Sequence, residues 1–161
     1  MKTLILVRHG KSSWDYNVSD KDRPLKERGI NDAHLVSNRL KEKGTTIDYV
    51  YASPANRALH TAMIFLRNLD YGFQGFEIKD DLYDFSGEHL KRFVHAINDA
   101  YQTVLIFGHN YAFTTMANAW GDKYIDNVPT SGLVHIDFKE NSWKRISKGN
   151  TKLTLFPKQL K

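Results

Sequence analysis

Two unbroken apolar runs, Leu4-Ile5-Leu6-Val7 and Val104-Leu105-Ile106-Phe107, constrain this chain more than any other feature. A short run of β-branched and aliphatic residues without polar alternation reads as a strand covered on both faces. Each run stops abruptly at residues able to do chemistry. The first ends in Arg8-His9-Gly10, the second in Gly108-His109-Asn110. In open α/β sheets ligands bind just beyond the carboxyl ends of the strands, so both histidines fall where a site would be built.

The intervening segments alternate between helical and extended patterns. Pro24 marks a helix starting near Leu25; Ile30, Ala33, Val36 and Leu40 recur at helical spacing, and Gly44 supplies the stop. Residues 46–52 read as a second strand. Ser53 and Pro54 are expected as N-cap and first residue of the next helix, along which Leu59, Ala62, Met63, Leu66 and Leu69 form an apolar stripe. A short strand is expected at 76–79, a helix carrying Leu90, Phe93, Val94, Ile97 and Tyr101, and another from about Tyr111 to Trp120. Val134, Ile136 and Phe138 alternate with His135 and Asp137 as in a half-exposed strand, and residues 143–147 are expected to pair with it. Residues 150–161 carry no clear pattern. The whole, residues 1–161, reads as one domain: an α/β sandwich with a mostly parallel central sheet and an antiparallel edge.

Composition excludes several classes of function. The 161 residues contain no cysteine, which rules out disulfides and thiolate metal sites and fits a reducing compartment. The N-terminal apolar run is shorter than a signal segment requires, and no stretch approaches membrane length, so a cytoplasmic protein with no membrane partner is expected. The net charge of +5 originates in residues 139–161, which hold seven Lys/Arg against the single acid Glu140. Lysine is a common guard of sheet edges, and a solvated edge is the favoured reading over nucleic-acid contact. No His-Glu-x-x-His or acidic calcium loop is present, so neither a metal nor another cofactor is expected.

If the strands run parallel, Arg8, His9, Arg57 and His109 collect at one sheet edge. The result is a cationic pocket rich in donors. Arginine's planar fork matches phosphate oxygens, and Ser53, as a helix cap, would aim that helix's N-terminus at the same anion. A neutral imidazole can attack phosphorus and divide one hard step into two. Neighbouring arginine charges disfavour imidazolium and keep such a ring neutral. Lys11, Ser12 and Arg23, in the long polar loop 11–23, are placed to reach phosphate or substrate, as is Asn110. Trp14 and Tyr16 of the same loop are candidates for contact with the rest of the substrate. His34, His60, His89, His95 and His135 have no partner spacing and read as ordinary histidines. Thr130-Ser131-Gly132 either borders the pocket or only forms a turn.

Val7-Arg8-His9-Gly10-Lys11, Asp22-Arg23-Pro24-Leu25, Arg28-Gly29, Ser53-Pro54 with Arg57-Ala58 and Thr61-Ala62, and Gly108-His109-Asn110 occur in that order. The set resembles the histidine phosphatase, or phosphoglycerate-mutase-like, superfamily. The short chain and its Arg-His-Gly-Lys opening are most similar to the SixA-type phosphohistidine phosphatases. The resemblance implies a three-layer α/β/α sandwich without a metal. It implies that His9 is the nucleophile and that Arg8, Arg57 and His109 complete the phosphate pocket.

Two positions depart from that pattern. Where mutase and broad-specificity branches carry an acidic proton donor, this chain offers Asp84, with Glu88 nearby, but not the fuller motif. Asn110 is followed by Tyr111 rather than proline, which places an aromatic near the mouth. The first departure bears on the substrate. An alkyl phosphate expels an alkoxide, on a scale marked by water's pKa of about 15.7. Phosphohistidine expels an imidazole whose conjugate acid has a pKa of about 6.5. The expected function is therefore metal-independent hydrolysis through phospho-His9, with phosphohistidine on a protein as substrate. The alternatives are a small-molecule phosphomonoesterase using Asp84 as general acid, and a non-catalytic module binding phosphate or nucleic acid.

Overall fold

The computed structural model describes residues 1–161. The elements follow as β1 (Lys2–Arg8), α1 (Glu27–Glu42), β2 (Tyr49–Ala52), α2 (Asn56–Asn68), β3 (Phe76–Ile78), α3 (Glu88–His95), β4 (Thr103–Gly108), α4 (Ala112–Trp120), β5 (Leu133–Phe138), β6 (Asn150–Leu155) and α5 (Pro157–Leu160). The six strands form one sheet in the order β3-β2-β4-β1-β5-β6. β3, β2, β4 and β1 are mutually parallel, while β5 runs antiparallel to β1 and β6 antiparallel to β5.

The two apolar runs occupy the middle of this sheet as neighbours, with Leu4 opposite Val104 and Val7 opposite Phe107. Alternate residues of each strand face opposite ways, and both faces are covered. Leu4, Leu6, Val104 and Ile106 join Val94, Phe113, Met116 and Trp120 in one core on the α3–α4 side. Ile5, Val7, Leu105 and Phe107 join Ala33, Val36, Leu40, Phe65 and Leu66 in a second core on the α1–α2 side. This is the three-layer sandwich, and it explains why neither run could carry a polar residue.

The C-terminal third differs from its sequence reading. The partner of β5 is β6, built from residues 150–155, not from 143–147. Residues Trp143–Arg145 form a single 3-10 turn that buries Trp143 completely. The Trp143 indole N–H donates to the Tyr101 carbonyl at 2.8 Å, and the same carbonyl accepts from the buried Lys2 ammonium at 3.0 Å. A large aromatic beside a buried cation gains more there than on a strand edge. His135, expected on an exposed face, is buried beside Asp137, with Nε2 2.9 Å from Oδ1. The lysine-rich segment does form the sheet edge, where Lys152 is exposed. No helix is long and apolar enough to cross a membrane.

Candidate active site

Strand register brings the site together. Arg8 pairs with Gly108, so His9 and His109 each lie one residue past a strand end on adjacent strands. The His9 amide donates to the Gly108 carbonyl at 3.1 Å, and the two imidazole centroids are 5.3 Å apart. On the other side of β4, Ala52 pairs with Phe107, and the Ser53 amide donates to the Phe107 carbonyl at 3.0 Å. Ser53 therefore sits against His109.

The backbone that presents His9 is held on all sides. Its carbonyl and that of Arg8 both accept from the Ser131 amide, at 3.0 and 3.1 Å. Ser131 adopts φ = 61°, unusual for a non-glycine residue. The Gly10 amide donates to Thr61 Oγ1 at 2.9 Å, and that hydroxyl donates to the Arg57 carbonyl at 2.7 Å. Gly10 is required by close approach: a Cβ there would lie 2.8 Å from the Gly29 carbonyl oxygen. Thr130 lines the pocket and Ser131 lies fully buried beneath it, so this segment borders the site as well as forming a turn.

His9 Nδ1 is 2.7 Å from the Gly10 carbonyl oxygen. A carbonyl only accepts, so Nδ1 carries the proton and Nε2 presents its lone pair. The ring lines the pocket. Burial, aided by the proximity of His109, Arg57 and Arg8, pulls His9 down to about 3 against the opposing Gly10 hydrogen bond. It is neutral at physiological pH. His109 is fully buried and is likewise held at about 3, by burial and then by Arg57 and Arg8, with Asp20 opposing. Its Nε2 lies 2.8 Å from Ser53 Oγ, and its Nδ1 is buried without a partner.

An open pocket of about 320 Å³ lies over His9. Arg8, Lys11, Ser12, Arg23, Arg57 and Asn110 line it, as does Asp20. Arg8 donates through Nη1 to the Val128 carbonyl at 3.0 Å and leaves its buried Nε unpartnered. Burial and then the neighbouring Arg57 charge lower its affinity for its proton, and the opposite charge of a bound anion would offset both. The Lys11 ammonium makes no hydrogen bond or ion pair within the chain. Arg23 is committed to structure: Nε donates to the Ser13 carbonyl at 3.2 Å, Nη1 to Asp20, and Nη2 to the Ser12 hydroxyl. Asn110 also lines the pocket, but its amide ties Asn127 to Thr114, accepting at 3.0 and 2.9 Å and donating at 2.8 Å.

Three sequence expectations need correction. Ser53 does not cap α2, which begins at Asn56 after Ala55 without a side-chain cap. Its hydroxyl instead accepts from the Ala55 amide at 3.2 Å and meets His109. Asp84 does not line the pocket. Its oxygens accept from the amides of Gly87 at 3.1 Å, Leu90 at 3.0 Å and Ser86 at 3.3 Å, at the start of α3. Burial raises its pKa, but the amides of Leu90, Ser86 and Gly87 outweigh that and hold the carboxyl below the usual range. A carboxylate so engaged has no proton to give. Tyr111 is exposed and stands outside the pocket lining.

One residue central to the site was missed. Asp20, on a 3-10 turn of the long loop, accepts from Arg57 Nη2 at 2.9 Å and Arg23 Nη1 at 3.0 Å, and from the Tyr83 hydroxyl. Its backbone carbonyl accepts from Arg57 Nη1 at 2.6 Å. Burial opposes ionisation, but the donors Tyr83, Arg57 and Arg23 outweigh it and keep Asp20 a carboxylate. Nothing local distinguishes it from Asp15 or Asp22. Only its position three residues before Arg23 hinted at a pairing.

Fold and site together define a strongly cationic pocket over a buried histidine on an α/β sandwich. The family model for the histidine phosphatase superfamily (branch 1) matches residues 4–87, just over half of the chain, which therefore belongs to that superfamily and is a phosphatase. The matched span holds Arg8, His9 and Arg57; His109 lies beyond it. Among solved structures, the protein histidine phosphatase SixA complexed with tungstate is 22% identical, with 99% of each chain covered and a TM-score of 0.80. SixA proteins from Agrobacterium tumefaciens (22% identity, 96% of this chain and 97% of that one, TM-score 0.76) and Nakamurella multipartitia (20%, 97% and 96%, 0.80) share the fold.

Proposed function

We propose that this phosphatase acts without a metal, takes the phosphoryl group covalently onto His9, and uses phosphohistidine on a protein as its substrate. Nε2 of His9 forms a bond to phosphorus while the bond from phosphorus to the substrate imidazole breaks. The departing ring leaves as neutral imidazole when its other nitrogen is already protonated. Water then attacks phosphorus, His9 leaves, and inorganic phosphate and the original enzyme result. Arg8, Arg57 and Lys11 neutralise the phosphoryl oxygens, in a reaction whose catalysis is mostly positioning and charge compensation. Nδ1 of His109, buried and unpartnered, supplies a further donor to an oxygen whose charge grows in the transition state.

The observation that carries the substrate class is the absence of an available acid at the mouth. Asp20 is the one carboxylate lining the pocket and is held ionised by its donors. Asp84 is bound to the amides of α3. A leaving group here must depart without a carboxylic acid, which favours an imidazole over an alkoxide. Tungstate, held by the similar SixA structure, is a tetrahedral oxyanion of the kind this pocket would accept.

The deciding experiment compares a phosphohistidine protein, an alkyl phosphate and an aryl phosphate as substrates for wild type and His9→Ala. The expected order places the phosphohistidine protein first and the alkyl phosphate last, with all turnover lost in His9→Ala and none lost on adding a chelator. Preferred turnover of the alkyl phosphate would replace this reading with a phosphomonoesterase; phosphate binding without turnover would leave a binding module.

A further inference from the structure

In-line displacement puts the leaving group on the side of phosphorus opposite the attacking nitrogen. His9 lies at the buried floor of the pocket, so the leaving group must rest among the side chains at the mouth. Of the eleven lining residues two are hydrophobic, Trp14 and Phe85. Both are exposed, at 73% and 44%.

Neither is a loose surface residue. The Arg23 guanidinium carbon lies 3.3 Å from the Trp14 ring centroid, and Arg23 is itself fixed by Ser12, Ser13 and Asp20. One face of the indole is thus clamped by a cation and the rest is open. Phe85 packs at 5.0 Å on both His109 and Tyr83, and Tyr83 is tied to Asp20. Asp20 therefore anchors both aromatics through Arg23 and Tyr83. A preorganised aromatic contact loses little ordering entropy when a ligand arrives. Leaving a tryptophan this exposed gains the folded chain little, whereas its open surface matches a flat ring.

We infer that Trp14 and Phe85 form a binding subsite for a planar aromatic leaving group, so that the enzyme selects phosphoryl groups carried on flat rings over those carried on equally labile but non-aromatic groups. The inference rests on the phosphatase reading above and refines its substrate class. Lability alone would admit acyl phosphates; the aromatic mouth discriminates against them.

The test measures kcat/KM for phosphoimidazole, p-nitrophenyl phosphate and acetyl phosphate with wild type, Trp14→Ala, Trp14→Phe and Phe85→Leu. For Trp14→Ala, the loss on the two ring substrates should exceed the loss on acetyl phosphate by about threefold to tenfold, the range spanned by aromatic pairs. It should appear mainly in KM, and Trp14→Phe should recover most of it. Phe85→Leu keeps an apolar cover over His109 and should show the same bias. Equal losses on all three substrates in both alanine and leucine variants, or no loss on the ring substrates, would overturn the subsite while leaving the phosphatase intact. No His9-dependent turnover of any of the three by wild type would overturn the phosphatase reading together with the inference.

Discussion

The hydroxyl of Ser53 lies 2.8 Å from Nε2 of His109. Its other neighbour, the Ala55 amide at 3.2 Å, can only donate to it. That leaves the Ser53 proton free for His109 Nε2, and neutral His109 accepting it would carry its own proton on Nδ1. That tautomer would supply the donor proposed above for a phosphoryl oxygen. Ser53→Ala removes this bias. It should lower kcat by about tenfold to a hundredfold, the range for groups that orient a site ligand, with KM little changed, and Ser53→Thr should restore it. Nitrogen chemical shifts of His109 in the two variants would report the tautomer directly; an unchanged tautomer in Ser53→Ala would remove Ser53 from this role.

Arg57 and Asp20 should behave as one unit. Losing a preorganised donor to a developing charge costs about 2.7–4 kcal/mol of barrier, so Arg57→Ala should slow turnover at least a hundredfold. Asp20→Asn leaves the guanidinium in place but less firmly held, and should cost less. On acetyl phosphate, which does not use the aromatics that Asp20 also anchors, both changes act on the same guanidinium, and the double variant should be no slower than Arg57→Ala alone. Multiplicative losses would mean that Asp20 acts on the substrate separately.

Acid should destabilise the protein through its two site histidines. Both titrate at about 3 in the fold, against an ordinary value of about 6.5 in the unfolded chain. Between those values the unfolded chain binds protons that the folded chain excludes, so unfolding free energy falls as pH drops through that window. Denaturant melts of wild type and His9→Gln across the window should show a shallower pH slope for the variant. The same low values mean that kcat/KM should show no acid limb from His9 between pH 5 and 7.

Asp84 should matter for stability and not for leaving-group chemistry. Removing a side chain that accepts from the free amides at a helix start typically costs about 0.5–2 kcal/mol, so Asp84→Ala should lower the unfolding free energy by that order in a denaturant melt. Alkyl and aryl phosphate turnover should change by the same factor. A larger loss on the alkyl phosphate would return Asp84 to the role of acid.

Much of this molecule was readable in the chain itself. The runs at Leu4 and Val104 had to be doubly covered strands because no alternation was present, and the histidines after them had to lie at strand ends because the apolar run stops there. The carboxyl residues were a different matter. Asp84 and Asp20 each sit in a polar loop, and composition treats them alike, yet α3 claims the first and two arginines claim the second. Residues 143–147 and 150–155 were confused for a similar reason: both are short and mixed, and what separates them is that Trp143 finds a buried place beside Lys2 while Thr151 and Leu155 find the edge of β5.

The amino-acid order alone thus determined the alternation of strands and helices and set Arg8, His9 and His109 at strand ends, since periodicity and strand ends are local properties. Which carboxylate meets which guanidinium, which hydroxyl meets His109, and which aromatics stand open at the mouth were decided only by the packed structure. Those outcomes depend on a few ångströms between residues distant in the chain, and on donors and acceptors that compete for the same partners once water has been excluded.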